Sequence, residues 1–308
     1  MTRKKKLLVL EGAGIATLVG VVFLWQVTCQ PTEVVYADAP TDSDANVDSF
    51  DYARYVAAFK QVDDQGMVNY KKLKEQPEDL EAFITQIAQL DGKNFAKWQK
   101  EDQIAFWINA YNGLTLKAIV AHYPIKSSLL GAGFPKNSVR QIKGVWDKLK
   151  FNVMGKDVTL NDIEHAILRN KHNTPEIHMA LVCATISCPP LLNKPFIGKT
   201  LTTQFSSQAK TFLATEGKFK IDRKKKTVYL SKIFDWFGDD FVKNYTSAEG
   251  FEDQNKKMKA SLHYISLHLS NGDAEFLKSA RYKVKFLDYD WTLNEKKPKQ
   301  GESGAPSP

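Results

Sequence analysis

The chain has 308 residues, of which 43% are hydrophobic and 25% are charged, and its formal net charge at pH 7 is +8. This composition is typical of a globular protein with a large apolar core, and it excludes a fibrous or a wholly disordered chain. The basic residues are scattered, and the densest run, Arg223–Lys226, lies between two strand-like stretches without aromatic partners on one face. We therefore expect no nucleic-acid partner.

The N-terminal segment carries the signals of export. Arg3–Lys6 are positively charged, residues 7–27 are mostly apolar, and the small residues Ala37 and Ala39 offer cleavage sites. This pattern predicts a signal peptide or a membrane anchor over residues 1–37, and it leaves both open. The predicted protein is thus exported, either periplasmic or anchored in the inner membrane, and an uncleaved segment would be its contact with the membrane.

Composition divides the rest of the chain into three parts. Residues 38–48 are small, acidic and unpatterned, which predicts a linker. Residues 49–294 are predicted to form one globular domain. Residues 295–308 are rich in Lys, Gly, Ser and Pro, which predicts a disordered tail.

Periodicity within the domain indicates helices mixed with short strands. Helices are predicted over residues 51–60, 78–90, 101–122, 160–169 (with Thr159 as the N-terminal cap), 201–214 and 251–269. The predicted strands form hairpins over 151–158, turning at Gly155-Lys156, and over 219–230, with a buried strand over 177–182 and a last strand over 283–287. The pattern is that of a helix-rich α+β single domain with short antiparallel hairpins and a small sheet.

The segment from Ile177 to Leu191 is the best candidate for chemistry. Its predicted strand leads into a loop that holds Cys183 and Cys188, and two prolines follow Cys188 directly. Because proline restricts its own backbone and that of the preceding residue, the Cys188 side chain sits on a stiff loop. Such a loop suits a positioned nucleophile, and it equally suits a structural pair, buried or joined in a disulfide.

A cysteine nucleophile needs a base or a cation to become a thiolate. His165 and His178 are the candidates for that base, and the sequence does not choose between them. Glu164 is adjacent to His165 and could serve the site separately. Asn109 and Asn112 are polar residues in an otherwise apolar helix, so we expect their buried amides to orient the base or to tie the helix to the cysteine loop.

A metal site is the weaker reading of the same residues. Two cysteines in C-x4-C spacing without a second pair are a poor zinc signature. The sequence predicts neither a metal nor another cofactor.

Several longer motifs resemble one family in the order in which they occur. They are Phe106–Thr115, Leu160–Arg169, His178–Leu181, Ser187–Leu191, Leu230–Phe237, Asp239–Phe241 and Phe286–Asn294. Together they span about residues 104–294, and they are similar to the domain of unknown function 547 family, with this chain as a bacterial exported member. The family motif residues present here are Asn109, Asn112, Glu164, His165, His178, Cys183, Cys188, Asp239 and Asp240.

The resemblance implies no settled activity. Its set of cysteine, histidine and carboxylate or amide is similar to the sets of papain-like and transglutaminase-like thiol enzymes, so a distant likeness to those folds is an expectation by analogy. The chain order differs, since His165 and His178 precede Cys188 here, whereas the cysteine comes first in papain.

The main hypothesis is an envelope thiol-dependent hydrolase or acyl transferase that acts on an amide, a peptide or a thioester. Cys188 would be its nucleophile, His165 or His178 its base, and Glu164 or Asn109 would orient the base or steady the oxyanion. The residues predicted to bind at this site are Asn112, Cys183, Asp239 and Asp240. The partner would be a small-molecule or peptide substrate.

Two alternatives stay open. One is a non-catalytic envelope binding protein in which Cys183 and Cys188 form a structural pair. The other is a thiol–disulfide exchange protein that uses the same two cysteines, although their spacing is not C-x-x-C.

Overall fold

The computed structural model describes residues 50–127, 131–246, 249–279 and 281–297. The predicted signal or anchor segment, the linker and most of the predicted tail lie outside the described residues. Among the helices that the structure describes, none combines the length and the apolar character needed to cross a membrane.

Helices make up most of the described chain. The α-helices are α1 (Ala53–Ala58), α2 (Tyr70–Glu75), α3 (Glu78–Gln89), α4 (Gly92–Phe95), α5 (Lys100–His122), α6 (Leu201–Ala214), α7 (Ile233–Trp236), α8 (Gly238–Tyr245), α9 (Lys256–Ser266) and α10 (Asn271–Ser279). A π-helix spans Asp162–Lys171, and a 3-10 helix spans Pro175–Met179.

The strands form two small sheets. Strands β1 (Phe151–Val153) and β2 (Lys156–Val158) pair as an antiparallel hairpin. The second sheet has the order β3 (Phe219–Asp222), β4 (Thr227–Leu230), β5 (Lys283–Phe286), with β3 antiparallel and β5 parallel to β4. The helix-rich α+β prediction is confirmed, with both hairpins in the predicted places.

Helix α5 is the central helix of the first core. Its residues from Ile104 to Leu116 are all buried, because α2, α3 and the π-helix pack around it. A helix that is apolar on all sides is stable in water only when it is covered in this way. Asn109 and Asn112 are therefore buried with the apolar residues, at 0% and 1% exposure, and must find internal partners.

The buried apolar residues form two groups. The first is built from α1 to α5, the β1–β2 hairpin and the π-helix, and the second from α7 to α10 and the three-stranded sheet. Helix α6 contributes to both, with its first half to the first group and its second half to the second. Met179 belongs to the second group, whereas Ala180–Ala184 and Cys188 belong to the first. The segment with the two cysteines thus runs where the chain passes from one core to the other.

The prediction of a buried strand over residues 177–182 is wrong. Its first residues lie in the 3-10 helix, and the chain after Ala180 is irregular. The reason is that the Asn112 amide takes the place of a strand neighbour: its nitrogen donates to Ala180 O at 3.0 Å, and its oxygen accepts from Val182 N at 3.0 Å. When a side chain forms hydrogen bonds with the backbone of an apolar segment, that segment does not require a neighbouring strand as its hydrogen-bond partner.

Smaller differences concern the ends of elements. The last predicted long helix begins only at Lys256, because the Asn255 side chain accepts from Met258 N and caps it. The β1–β2 hairpin turns at Met154-Gly155, one residue before the predicted position. Thr159 caps as predicted by accepting from Asp162 N at 3.1 Å, but the helix that follows is wound as a π-helix.

The C-terminal segment lies along the cysteine loop. Ile186 N donates to Thr292 O at 2.8 Å, and Asp290 N donates to the Ser187 hydroxyl at 2.8 Å. Lys296 N donates to a backbone carbonyl of the first core, so ordered contacts continue two residues past the predicted domain boundary. This pairing brings side chains from residues 289–291 next to the two cysteines.

Candidate thiol site

Cys183 and Cys188 lie at the two ends of a tight loop. Ala184 has φ of +61°, a left-handed conformation that is uncommon for a residue with a β-carbon, and its carbonyl accepts from Asn294 N at 3.2 Å. Cys188 N donates to Thr185 O at 3.1 Å and closes the loop. Both cysteines are free thiols, and their sulfur atoms lie 2.7 Å apart. We call Cys183 and Cys188 the thiol pair.

Hydrogen-bond donors surround the Cys188 sulfur. The backbone N–H of Cys183 donates to it at 3.1 Å, and the hydroxyls of Thr185 and Tyr289 each lie 3.3 Å from it. Cys188 is 4% exposed, whereas Cys183 is half-buried and is the more accessible member of the pair.

These donors determine which of the two sulfurs carries the negative charge. Burial alone would raise the pKa of the Cys188 thiol, but hydrogen bonds from Cys183, Thr185 and Tyr289 outweigh burial and lower that pKa to about 6. The hydrogen bond to Cys188, together with burial, raises the pKa of Cys183 well above its usual value. At neutral pH the thiol pair therefore holds one proton and one negative charge between its two sulfurs.

Lys218 supplies a cation to the same site. Its side chain is buried, and its ammonium donates to the backbone carbonyl of Cys188. Burial lowers the pKa of Lys218, while the negative charges of Cys188 and Cys183 raise it. No carboxylate pairs with Lys218 among the described residues, so the thiol pair is the anion that compensates this buried charge.

A second polar cluster holds both candidate histidines. Arg169 binds Asp240 through two nitrogens, at 2.6 and 2.9 Å, and His178 Nε2 lies 2.7 Å from the same carboxylate. His165 Nδ1 lies 2.7 Å from the Arg169 guanidinium. The His178 ring stacks on Phe237 with centroids 4.2 Å apart. We call His165, Arg169, His178 and Asp240 the histidine cluster.

The charges of the histidine cluster are compensated internally. Although burial raises the pKa of Asp240, the hydrogen bonds of His178 and Arg169 hold it well below its usual range. Burial lowers the pKa of His165, which accepts from Arg169 as a neutral ring. Within the described part of the chain, neither histidine hydrogen-bonds a cysteine sulfur.

Glu164 contacts Tyr111, a buried tyrosine whose pKa is also affected by the thiol pair. The Tyr111 hydroxyl donates to Glu164 at 3.2 Å. Burial raises the pKa of Tyr111, and the charges of Glu164, Cys183 and Cys188 raise it further. Tyr111 is thus within electrostatic reach of both the carboxylate and the thiol pair.

The other predicted site residues lie in structural contacts. The Asn109 amide bonds both Phe196 N and Phe196 O, at 2.9 and 2.8 Å, and anchors the loop before α6 rather than the cysteine loop. Asn112 holds the backbone that leads into Cys183, as the sequence predicted for a buried amide. Asp239 is exposed and lies 3.4 Å from Lys257.

Sequence reasoning missed several residues that contact or surround the thiol pair. Tyr289 lies in the family motif Phe286–Asn294, but the sequence assigns it no role. The Tyr-x-Trp pattern of this segment is the one signal that could have indicated an aromatic contribution to the site. Thr185 lies between the two cysteines, where the sequence predicts only a loop. Lys218 follows α6 in a turn, and nothing in the local pattern distinguishes it from a solvated lysine.

Residues 95–213 match the model of the family described as "Protein of unknown function, DUF547". The match supports, over these residues, the family resemblance that the motifs predicted. The match includes α5, the π-helix, the thiol pair and most of α6, whereas Lys218, Asp240 and Tyr289 lie C-terminal to it. No curated protein and no solved structure matches the chain.

Proposed function

We propose that the chain is a thiol-dependent hydrolase or acyl transferase of the cell envelope, with the thiol pair as its reactive centre. The observation that carries the proposal is the set of donors from Cys183, Thr185 and Tyr289 on the buried Cys188 sulfur. A sulfur in this setting is ionised near neutral pH, and the thiolate is the nucleophilic form of cysteine. The envelope location rests on the N-terminal export signals.

In the first step the Cys188 thiolate attacks the acyl carbon of an amide, peptide or thioester. A carbon–sulfur bond forms, the bond to the leaving group breaks, and the leaving group takes the proton of the Cys183 thiol. Cys183 is suited to this because its pKa is raised by its hydrogen bond to Cys188 and by the charge there. Acylation removes both effects, so Cys183 becomes a stronger acid as the leaving group departs.

In the second step water or an acceptor nucleophile attacks the acyl group on Cys188. Its proton passes to the Cys183 thiolate, the carbon–sulfur bond breaks, and the Cys188 thiolate is restored among its donors. Cys183 thus takes the proton-carrying role that the sequence gave to His165 or His178. Those histidines are engaged with Arg169 and Asp240.

The experiment that tests the proposal is the pH dependence of alkylation by iodoacetamide in the full chain. A Cys29→Ser background removes the third cysteine, and Cys183→Ser leaves Cys188 as the single thiol with a hydroxyl beside it. We expect an apparent pKa at least about one unit below the free-thiol value of about 8.5. The matched variant Cys188→Ser, which keeps only Cys183, should react only at higher pH.

A Cys188 that stays unreactive until the protein unfolds would contradict the proposal and support the structural pair of a binding protein. With a reactive Cys188 established, amide and thioester substrates are screened. Cys188→Ala should then abolish turnover while the circular dichroism spectrum stays unchanged.

Thiol–disulfide exchange is the second candidate, and the 2.7 Å separation of the two sulfurs favours it. The Cys188 thiolate would attack a substrate disulfide, and Cys183 would then displace the mixed disulfide. The substrate would leave as two thiols and the protein as a disulfide. A reduction potential far below that of the compartment, measured in glutathione buffers, would rule this function out.

A further inference from the structure

Arg140 lies in a ring of aromatic side chains next to the thiol pair. Its guanidinium carbon is 4.4 Å from the centroid of Phe134, 5.1 Å from that of Trp291 and 5.5 Å from that of Trp146. These rings come from the loop before β1 and from the C-terminal segment, so the aromatic residues around Arg140 belong to two distant parts of the chain. Cation–π contacts of this kind hold a guanidinium in place without using its N–H donors.

No described residue accepts a hydrogen bond from this guanidinium. In the part of the chain that the structure describes, the Arg140 side chain forms neither a hydrogen bond nor an ion pair. The other arginines beside aromatic rings differ, since Arg169 binds Asp240 and Arg223 binds Asp273. Among the described arginines beside aromatic rings, Arg140 is therefore the one whose planar set of N–H donors is available to a ligand.

The aromatic ring system connects Arg140 to the thiol pair. The Trp291 ring packs on Tyr289 with centroids 4.6 Å apart, and the Tyr289 hydroxyl lies 3.6 Å from the Cys183 sulfur. Trp236 packs on Tyr289 at 4.8 Å and is 43% exposed. Burial lowers the pKa of Arg140, and the charge of Cys183 opposes this, so guanidinium and thiol lie within electrostatic reach.

We propose that Arg140, framed by Phe134, Trp146 and Trp291, binds a free carboxylate of the substrate. The acyl compound that reacts with the thiol pair then carries a carboxylate, as the C-terminal residue of a peptide does. This inference rests on the proposed function, whose site it extends. The exposed Trp236 face offers the apolar part of such a substrate a stacking surface.

The choice of a carboxylate follows from the shape of the site. A guanidinium presents parallel N–H donors that match the two oxygens of a planar carboxylate. The flanking rings limit access to the edges of the guanidinium plane. One cation balances one carboxylate charge, whereas a phosphate would call for a second cation, and none is placed against these rings among the described residues.

The test compares two alkylating probes that differ only in the carboxylate, N-iodoacetylglycine and N-iodoacetylglycinamide. Rates are measured on the full chain in the Cys29→Ser background, with the modified cysteine identified by peptide mass spectrometry. We expect Arg140→Gln to lower the acid-to-amide rate ratio by about tenfold, the loss typical of one charge-assisted contact. Arg140→Lys, which keeps the charge without the fork, should retain part of the preference.

Lys143→Gln is the matched control, because it removes an exposed cation from the same loop. An equal fall of the ratio in Lys143→Gln would overturn the inference, since net charge would explain the preference. An equal loss of both rates in Arg140→Gln would also overturn it, because the guanidinium would then act on the thiolate alone.

A second measurement separates this inference from the proposed function. N-acetylphenylalanine and its amide are titrated into the full chain by calorimetry, which needs no reactive thiol. Tighter binding of the acid to the wild type than to Arg140→Gln, by about tenfold, supports the carboxylate site even if both probes alkylate slowly. Equal binding of acid and amide to the wild type would overturn it.

Discussion

The thiol pair and the histidine cluster are both buried polar groups, but they balance charge in different ways. In the histidine cluster, one carboxylate meets a bidentate arginine and a histidine, so every charge has a near partner of opposite sign. In the thiol pair, two sulfurs share one proton, neutral donors surround the Cys188 sulfur, and Lys218 donates to the Cys188 backbone carbonyl. The first arrangement is a closed ion network, whereas the second stabilises the charged form of a sulfur.

The difference supports our proposal that the thiol pair, rather than the histidine cluster, is the reactive group. A residue that is engaged in a satisfied ion network has to break that network before it can transfer a proton. The Cys188 sulfur already carries the charge that a nucleophile needs, and half-buried Cys183 carries a proton beside it. We therefore expect changes in the histidine cluster to affect stability alone, and changes around the thiol pair to affect both reactivity and the pH dependence of stability.

The largest expected effect is a pH dependence of stability that belongs to the thiol pair. Because the pKa of Cys188 is lowered from an ordinary value near 9 to about 6, its stabilising contribution is complete above pH 9 and is lost as the pH falls through 6. The wild type should gain on the order of 3 kcal/mol in unfolding free energy between pH 6 and 9, relative to Cys188→Ser.

Above pH 9 the sign reverses. The raised pKa of Cys183 gives a contribution that is present below its unfolded pKa and lost as the pH rises through the folded value. Urea unfolding of the reduced full chain at several pH values measures both limbs. A wild type whose stability runs parallel to that of Cys188→Ser from pH 6 to 9 would show that the sulfur is not ionised in the fold.

The next effect should come from the histidine cluster. Asp240→Asn removes the carboxylate that forms the ion pair with the Arg169 guanidinium, which is only 25% exposed. We expect a loss of about 2 kcal/mol in unfolding free energy, less than for a fully buried pair because both side chains are partly exposed. The alkylation pKa of Cys188 should stay unchanged, since Asp240 does not contact the thiol pair.

Asp239→Asn is the control for this prediction. The two residues are neighbours on α8, but the Asp239 side chain is 76% exposed, so its loss should change stability little. A rise of the Cys188 pKa in Asp240→Asn would contradict the prediction, because it would show that the histidine cluster and the thiol pair act as one site.

A smaller effect is expected where a single donor is removed from the thiol pair. Tyr289→Phe keeps the ring between Trp236 and Trp291 and removes the hydroxyl 3.3 Å from the Cys188 sulfur. The pKa of Cys188 should rise by about one unit, which corresponds to one hydrogen bond to a charged group. Alkylation rates against pH measure the shift, and an unchanged pKa would assign the charge to the remaining donors.

The sequence allowed the longer helices and both hairpins to be predicted because their apolar periodicity and turn residues are local signals. Helices α2, α4, α7, α8 and α10, each of nine residues or fewer, were not predicted. It also indicated that the Asn112 amide would hold the cysteine loop, since a buried amide in an apolar helix needs partners. The segment before the cysteines was predicted as a strand, because an apolar run alone cannot show that a side chain from another helix will satisfy its backbone.

The composition of the site could be predicted only in part. The prolines after Cys188 drew attention to both cysteines. The Tyr289 hydroxyl beside the Cys188 sulfur, however, comes from the C-terminal segment, and the Lys218 ammonium on the Cys188 carbonyl comes from the turn after α6. Those contacts join residues about 100 and 30 positions apart, as with Tyr289 and Lys218, and no periodicity reports them. For the same reason, sequence reasoning placed the histidines with the thiols.

The smallest expected effect tests that placement directly. His165→Gln offers Arg169 an amide oxygen in place of the neutral imidazole Nδ1, 2.7 Å from the guanidinium. Because burial already lowers the pKa of His165 and keeps the ring neutral, the change removes no charge at neutral pH. Stability should fall by less than about 1 kcal/mol, and the iodoacetamide rate of Cys188 at pH 7 should stay within about twofold. A rate that falls at least tenfold, with the urea midpoint unchanged, would restore His165 as the base of Cys188.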